Sequence, residues 1–187
     1  PPPTASLDTF ILNGAECEPY LTCDHRMMVE HAREILEGIR LVNAAFSFSR
    51  IVVAIEKNKP DAIEAFRNAA IQMDALGVEI VPLDVLYPQG AEKMLIRVVT
   101  GRTVPAGRLP FEVGVVVSNV QTIHALREAA YSGKPLVEQG ILLDEIVRVG
   151  LPVVVQHLLP VVGQRFEVEG ARPFDHEAHG ADFHDAA

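Results

Sequence analysis

The sequence has little cysteine, little positive charge and no long apolar run. Its two cysteines are Cys17 and Cys23, and a disulfide between them would close only a small loop and stabilise the fold little. We therefore expect a reduced, cytoplasmic-type compartment. There are 16 basic and 25 acidic residues, which gives a net charge of -9. An acidic protein repels nucleic acid and anionic lipid, so the composition argues against a DNA or RNA partner.

The longest apolar stretches, such as residues 113–117 and 151–155, are far shorter than the roughly 20 residues that a helix needs to cross a bilayer. No segment is therefore predicted to span a membrane by itself. The sequence also lacks an initiating Met and a basic region followed by an apolar one, which together would mark a secretory signal. We interpret Pro1 as a cut point inside a longer protein.

Hydrophobic residues make up 49% of the 187 positions. That is enough for one domain with a substantial core, and the chain is too short for two sizeable domains. We predict an α/β domain over residues 1–138. Beyond it, residues 141–159 are apolar but interrupted by Pro152, and residues 167–187 are rich in His, Asp and Ala. The segment 139–187 is predicted to be weakly structured, with its last ~20 residues disordered.

Apolar runs of strand length alternate with stretches of helical periodicity. The predicted strands are residues 7–12, 51–55, 78–83 and 113–117. The predicted helices are residues 25–43, capped by Thr22 or Asp24; a helix that starts at Pro60 and closes at Gly77; residues 92–99, stopped by Gly101; and a helix capped by Ser118 and Asn119 that ends at Gly133. This order predicts an α/β fold with a Rossmann-like parallel sheet and flanking helices.

Three loops follow predicted strands, at residues 13–20, 87–93 and 118–122. Each loop alone has an ordinary interpretation as a turn or a helix cap. In an open parallel sheet, however, ligands bind outside the carboxyl ends of the strands, so we expect the three loops to converge on one crevice. The acidic segment 16–19 has no apolar alternation that would place it in a core. Its carboxylates suit hydrogen-bond acceptance from ribose hydroxyls or a carboxamide.

The residues of these loops also carry a family resemblance. The run Leu-Asn-Gly-Ala-Glu-Cys-Glu-Pro-Tyr-Leu-Thr at 12–22 resembles a segment of the RnfC family, whose relatives include the PduS cobalamin reductase. Residues 55–60, 87–93 and 119–122 match the same family in the same order, and the match covers residues 7–138. More distantly, the chain is similar to the flavoprotein subunit of respiratory complex I. The resemblance implies a complex I flavoprotein-subunit-like FMN-binding domain.

The resemblance implies that FMN is bound noncovalently and that NADH stacks on its ring. The residues expected to bind these cofactors are Asn13, Glu16, Glu18, Gly90, Glu92, Asn119 and Thr122. Of these, Glu18 is expected to face the nicotinamide, and Gly90 and Glu92 to lie close to the flavin ring or ribityl chain. No side chain is expected to act as a catalytic acid or base, because hydride transfer to a flavin depends first on alignment.

For the complete protein, the resemblance implies an NADH-dependent flavin oxidoreductase subunit of a membrane-associated, ion-pumping Rnf-type complex. Electrons would pass between NADH and ferredoxin through FMN and [4Fe-4S] clusters, which are expected only downstream of this chain. The protein would lie on the cytoplasmic face of the membrane through partner subunits. Two alternatives stay open: a non-catalytic docking module of the same fold, and a PduS-like cobalamin reductase domain.

The chain as given is expected to fold but to be inactive alone and not to retain FMN. The family's glycine-rich phosphate loop would precede Pro1, and Lys93 and Arg108 are the only obvious cations near the three loops. No metal site is predicted. The tail holds acidic residues and histidines that could ligate a metal, but without a preformed site an incidental His-rich stretch is the better interpretation; they are Asp175, His176, His179, Asp182 and His184.

Overall fold

In a computed structural model of the chain, residues 6–16, 22–73 and 77–133 are described. They form a four-stranded, wholly parallel sheet in the order β3-β2-β1-β4. The strands are β1 (Thr9–Gly14), β2 (Arg50–Glu56), β3 (Val78–Leu83) and β4 (Val115–Asn119). The helices are α1 (Cys23–Glu30), α2 (Ala32–Phe46), α3 (Pro60–Gln72), α4 (Glu92–Thr100) and α5 (Val120–Ser132), with a 3-10 turn at Pro110–Val113. The predicted α/β fold with a parallel sheet is confirmed.

Side chains of alternate strand residues point to opposite faces, and each face has its own core. On β1, Phe10 and Leu12 lie in the core that α1, α2, α3 and α5 cover, whereas Ile11 lies in the core under α4. The central strand β2 divides in the same way, with Val53 in the first core and Val52 in the second. Both faces of the sheet are therefore covered, which explains why β1 and β2 are continuous apolar runs in the sequence.

The packing of α2 on α5 depends on a glycine. A Cβ added at Gly38 would lie 2.5 Å from the backbone oxygen of Ile123. The two helices approach so closely that only a residue without a side chain fits there. This contact fixes the start of α5, and therefore of the loop that precedes it, against the sheet.

Several predicted boundaries are wrong. The helix predicted at 25–43 is two helices, α1 and α2, separated at His31, where no glycine or proline marks a break. Helix α3 ends at Gln72 and not at Gly77, although Gly77 does adopt a left-handed conformation. The predicted strand 113–117 starts later, because Pro110–Val113 form a 3-10 turn closed by Gly114 with φ of 77°.

Other predicted boundaries agree with the structure. Pro60 is the first residue of α3, and Gly101 ends α4 in a left-handed conformation. The prediction of a division near residue 138 and of a disordered tail concerns residues outside the described part of the chain, and stays a prediction. No described helix is long and apolar enough to cross a membrane.

Candidate functional site

The strand order creates one point where neighbouring connections leave in opposite directions. From β1 the chain moves to β2 and then β3, and it returns to β4 on the other side of β1. The crevice outside the carboxyl ends of β1 and β4 is therefore the expected binding position in an open α/β sheet. Asn13 and Asn119 are paired in the last register position of these two strands. Two of the predicted site residues thus lie side by side at this point.

Asn13 also connects β1 to the loop that follows β3. Its side-chain Nδ2 donates to the backbone oxygen of Gly90 at 3.0 Å, and its Oδ1 accepts from the backbone N of Ala15 at 3.0 Å. Asn13 and Gly90 are both half-buried. The loop that carries Gly90 therefore meets the end of β1, as the predicted convergence of the loops requires.

The side chain of Glu16 caps the N-terminus of α1. Its carboxylate, buried with the rest of the residue, accepts from the backbone N of Asp24 at 2.9 Å and of His25 at 3.3 Å. These are donors that a helix leaves unpaired in its first turn, and the negative charge also suits the helix dipole. Thr22 occupies the N-cap position, as predicted, but its side chain makes no cap hydrogen bond.

Asp24, in the first turn of α1, is hydrogen-bonded to residues at the N-terminus of α5. Its carboxylate accepts from Nδ2 of Asn119 at 2.7 Å and from Nε2 of Gln121 at 2.5 Å. Asn119 in turn caps α5, because its Oδ1 accepts from the backbone N of Gln121 at 2.7 Å, as the sequence predicted. Asp24 is buried, so these bonds hold Asn119 in one orientation. Sequence reasoning assigned no site role to Asp24 or Gln121.

A buried ion pair lies next to the main chain of Glu16. Glu56, the last residue of β2, pairs with Lys59, and their side chains are 1% and 8% exposed. The Nζ of Lys59 also donates to the backbone oxygen of Glu16 at 3.1 Å. Both residues belong to the segment 55–60 that resembles the family, but the sequence alone gave them no role. The sequence feature that could have identified them is their position, since a charged residue at the end of an apolar strand lies at the carboxyl edge of the sheet.

The structure gives less detail on three further predicted site residues. Glu92 begins α4, two residues after Gly90. Its residue surface is exposed, yet surrounding protein removes enough water to raise the pKa of its carboxyl, an effect that Lys93 partly opposes. Thr122 is half-buried in the first turn of α5. Glu18 lies outside the described residues.

The cations predicted near these loops are already engaged. Lys93 donates from Nζ to the backbone oxygen of Pro105 at 3.2 Å, and Arg108 pairs with Glu112 at 3.2 Å. Lys59 is a cation that the sequence prediction overlooked, but its charge is neutralised by Glu56. Among the described residues, these side chains do not form a cluster of free cations for a phosphate.

Potential metal ligands also meet at this edge. Single donor atoms of Glu16, Cys23 and Asp24 lie within 4.8 Å of one another. The carboxylates already accept the hydrogen bonds described above, and desolvation followed by the hydrogen bond to Glu16 raises the pKa of the Cys23 thiol, which disfavours the metal-binding thiolate. The arrangement is explained by hydrogen bonding. The histidines of the tail lie outside the described part of the chain.

A doubly covered parallel sheet with polar side chains at its switch point defines a Rossmann-like class of α/β domain, in which ligands bind outside the carboxyl ends of the strands. Residues 1–128 match the Nuo51 FMN-binding domain family, and the chain belongs to that family. The predicted resemblance to RnfC is confirmed by relatives that are named as the C subunits of ion-translocating oxidoreductase complexes.

Three such relatives illustrate the similarity. The chain is 48% identical over 139 residues to the C subunit of the proton-translocating ferredoxin:NAD(+) oxidoreductase complex of Clostridium ljungdahlii, covering 74% of this chain and 30% of that protein. It is 45% identical over 140 residues to the C subunit of the Rhodobacter capsulatus ion-translocating oxidoreductase complex, covering 74% and 26%. For the corresponding protein of Haemophilus influenzae the identity is 40% over 167 residues, covering 84% and 25%. The chain therefore spans less than a third of each relative.

Among solved structures, a chain of an NAD+-reducing [NiFe]-hydrogenase in its H2-reduced state has a similar fold. The TM-score is 0.56 at 21% sequence identity, covering 66% of this chain and 24% of that one. The air-oxidised state of an NAD+-reducing [NiFe]-hydrogenase gives a TM-score of 0.53 at 20% identity, covering 67% and 24%. At this level of identity the likeness establishes the fold.

Proposed function

We propose that this chain is the flavin-binding part of an electron-transfer oxidoreductase, and that FMN binds in the crevice at the carboxyl ends of β1 and β4. The observation that carries the proposal is the pairing of Asn13 with Asn119 at the switch point, in a chain of the Nuo51 FMN-binding domain family. The residues proposed to line the crevice are Asn13, Glu16, Gly90, Glu92, Asn119 and Thr122.

The groups at this edge fit a flavin by their chemistry. The edge of an isoalloxazine ring carries both hydrogen-bond donors and acceptors, and amide side chains can complement both. Asn13 and Asn119 are half-buried and are each held by a neighbouring hydrogen bond, to Gly90 and to Asp24. Side chains held in this way lose little entropy when a ligand arrives.

A bound flavin supplies the redox chemistry, and the protein supplies position and electrostatics. Asn13 and Asn119 would orient the ring edge. Glu16 would be held at the crevice by its cap on α1, and Glu18 would accept hydrogen bonds from the nicotinamide side of NADH. No described side chain needs to gain or lose a proton for this task, because alignment of donor and acceptor is what hydride transfer requires.

We further propose that the complete protein is the RnfC-type subunit of an ion-translocating complex that moves electrons between NADH and ferredoxin. Support comes from the names of the relatives, of which the Clostridium ljungdahlii protein belongs to a proton-translocating ferredoxin:NAD(+) oxidoreductase complex. In this role, [4Fe-4S] clusters elsewhere in the protein would receive the electrons, and partner subunits would hold it at the cytoplasmic face of the membrane.

A docking module without flavin is the second candidate. The loop after β3 exposes Val85, Leu86 and Tyr87 at 54%, 61% and 81%, and exposed apolar side chains next to one another favour contact with another surface. A PduS-like reductase would share the flavin crevice, and the described residues do not distinguish it from an RnfC-type protein.

Purified full-length protein tests the proposal. We expect visible flavin absorbance at about one flavin per chain, and loss of that absorbance when NADH is added without oxygen. Asn119→Ser keeps a residue that caps helices well but removes the amide, so flavin content should fall. Asn68→Ala, at an exposed position of α3, is the matched control and should keep its flavin. Flavin-free wild-type protein would exclude this function and favour the docking module.

Glu18→Gln in the full-length protein separates the two cofactors. Loss of one charged acceptor on the nicotinamide side is expected to weaken NADH binding by about 1 to 3 kcal/mol, with FMN content nearly unchanged. The measurements are the flavin absorbance and an NADH titration under anaerobic conditions. Equal loss of flavin and NADH would assign Glu18 to the flavin.

A further inference from the structure

Two lysines lie close together after β2 but in opposite environments. Lys57 pairs with Asp84 at 2.5 Å in an exposed position, where its own side chain is 59% exposed. The side chain of Lys59 is 8% exposed. Burying a charged ammonium group costs free energy because the group loses its favourable hydration. Because a lysine at this point of the chain can reach solvent, as Lys57 does, the burial of Lys59 needs an explanation.

Stability alone is a weak explanation. A buried ion pair often contributes no more to folding than apolar residues of the same size, because desolvation offsets the attraction between the charges. In addition, one oxygen of Glu56, Oε1, accepts no hydrogen bond from the described residues although it is buried. An incompletely satisfied pair of this kind is costly to keep in a core.

The contacts of Lys59 indicate what the pair positions. Its Nζ binds the backbone oxygen of Glu16 at 3.1 Å, across 43 residues of sequence. The carboxylate of the same Glu16 caps α1. Glu16 is thus held at both its main chain and its side chain, immediately before the segment 17–21 that carries Glu18.

We propose that Lys59 is a positioning residue: its buried ammonium group, neutralised by Glu56, holds the main chain of Glu16 in the position that this residue takes at the cofactor crevice. This inference rests on the proposed function, since it assigns Glu16 to the cofactor crevice. Lys59 itself touches neither cofactor. It acts through Glu16.

The test uses the full-length protein with the double variant Glu56→Gln/Lys59→Met, which removes both charges and the hydrogen bond to Glu16 but leaves side chains of similar size. We expect a folded protein with a KM for NADH raised about tenfold or more, a weaker hold on FMN, and a melting temperature close to that of the wild type. Lys57→Gln is the matched control and should leave both cofactor affinities unchanged.

Lys59→Arg decides the question if the double variant does not fold. It keeps a buried cation opposite Glu56, but its planar guanidinium has a different reach and would displace the oxygen of Glu16. We expect a severalfold rise in the KM for NADH at an unchanged melting temperature. Wild-type affinity for NADH and FMN in a folded variant would overturn the inference. Flavin-free wild-type protein would instead overturn the proposed function, so the two failures are distinguishable.

Discussion

The two ends of the parallel sheet hold their charges in different ways. At the amino ends, Asp8 pairs with Arg102 at 2.7 Å and Arg50 with Glu79 at 2.8 Å, and each of these side chains is between 38% and 49% exposed. At the carboxyl ends, Lys57 and Asp84 also pair in an exposed position, but Glu56 and Lys59 pair in a buried one.

Exposed ion pairs contribute at most about 1 kcal/mol and tolerate change. Buried charges survive only where their partners are fixed. The two ion pairs at the amino end are therefore solvated, whereas the carboxyl end holds a buried pair whose partners are fixed beside an exposed one.

The largest difference in the free energy of unfolding is expected between variants of two glutamates that each pair with a cation. Glu56→Gln leaves the charge of Lys59 buried without its counter-ion, and we expect it to lower the free energy of unfolding by about 3 kcal/mol. Glu79→Gln, which removes the partner of Arg50 at the amino end, is expected to cost less than about 1 kcal/mol. Urea denaturation of both variants measures the difference. Equal losses would remove the distinction between the two ends.

A smaller contrast is expected between two aspartates. Asp24→Asn replaces one acceptor oxygen by a donor that faces Asn119 or Gln121, so we expect a loss of about 1 to 3 kcal/mol together with weaker flavin binding, because Asn119 loses its fixed orientation. Asp8→Asn should cost about 1 kcal/mol or less and leave flavin binding unchanged. The measurements are urea denaturation and flavin fluorescence quenching. If Asp8→Asn weakened flavin binding as much, the crevice would be misplaced.

The smallest contrast is one of sign, between carboxyls whose pKa values shift in opposite directions. The hydrogen bond from Arg102, followed by that from Thr9, lowers the pKa of Asp8. Its ionisation stabilises the fold above the ordinary aspartate pKa of 3.8, and this contribution is lost as the pH falls through the lower folded-state value. Desolvation raises the pKa of Glu92, so its ionisation destabilises the fold at neutral pH, and the penalty disappears below the ordinary glutamate pKa of 4.5.

We therefore expect Glu92→Gln to stabilise the protein slightly at pH 7 and Asp8→Asn to destabilise it, each by about 1 kcal/mol or less, since Glu92 is exposed and the side chain of Asp8 is 45% exposed. Between pH 7 and pH 4.5, the gain from Glu92→Gln should shrink while the loss from Asp8→Asn persists. Urea midpoints measured across this range check both trends. A destabilising Glu92→Gln would show that Glu92 is paired in the folded protein.

The sequence predicted the sheet and the meeting of its strand ends better than the side-chain contacts at that edge. Strand β2 was evident because its β-branched run is buried on both faces. The adjacency of Asn13 and Asn119 followed from the rule that strand ends in a parallel sheet meet at one edge, whereas their role in flavin binding stays a prediction. The break at His31 was missed because no helix-breaking residue marks it. Lys59 and Asp24 were missed because side-chain partners 43 and 95 residues away in sequence depend on strand register, which periodicity does not encode.

Hydrogen exchange of the full-length protein, with and without FMN, tests most directly whether the carboxyl edge is the flavin site. We expect FMN to slow exchange at residues 13–16, 90–92 and 119–122, which surround the crevice, and to leave residues 8–10, 50–52 and 101–103 at the amino edge unchanged. Protection confined to the amino edge, or stoichiometric FMN binding without protection at the carboxyl edge, would contradict this placement of the flavin.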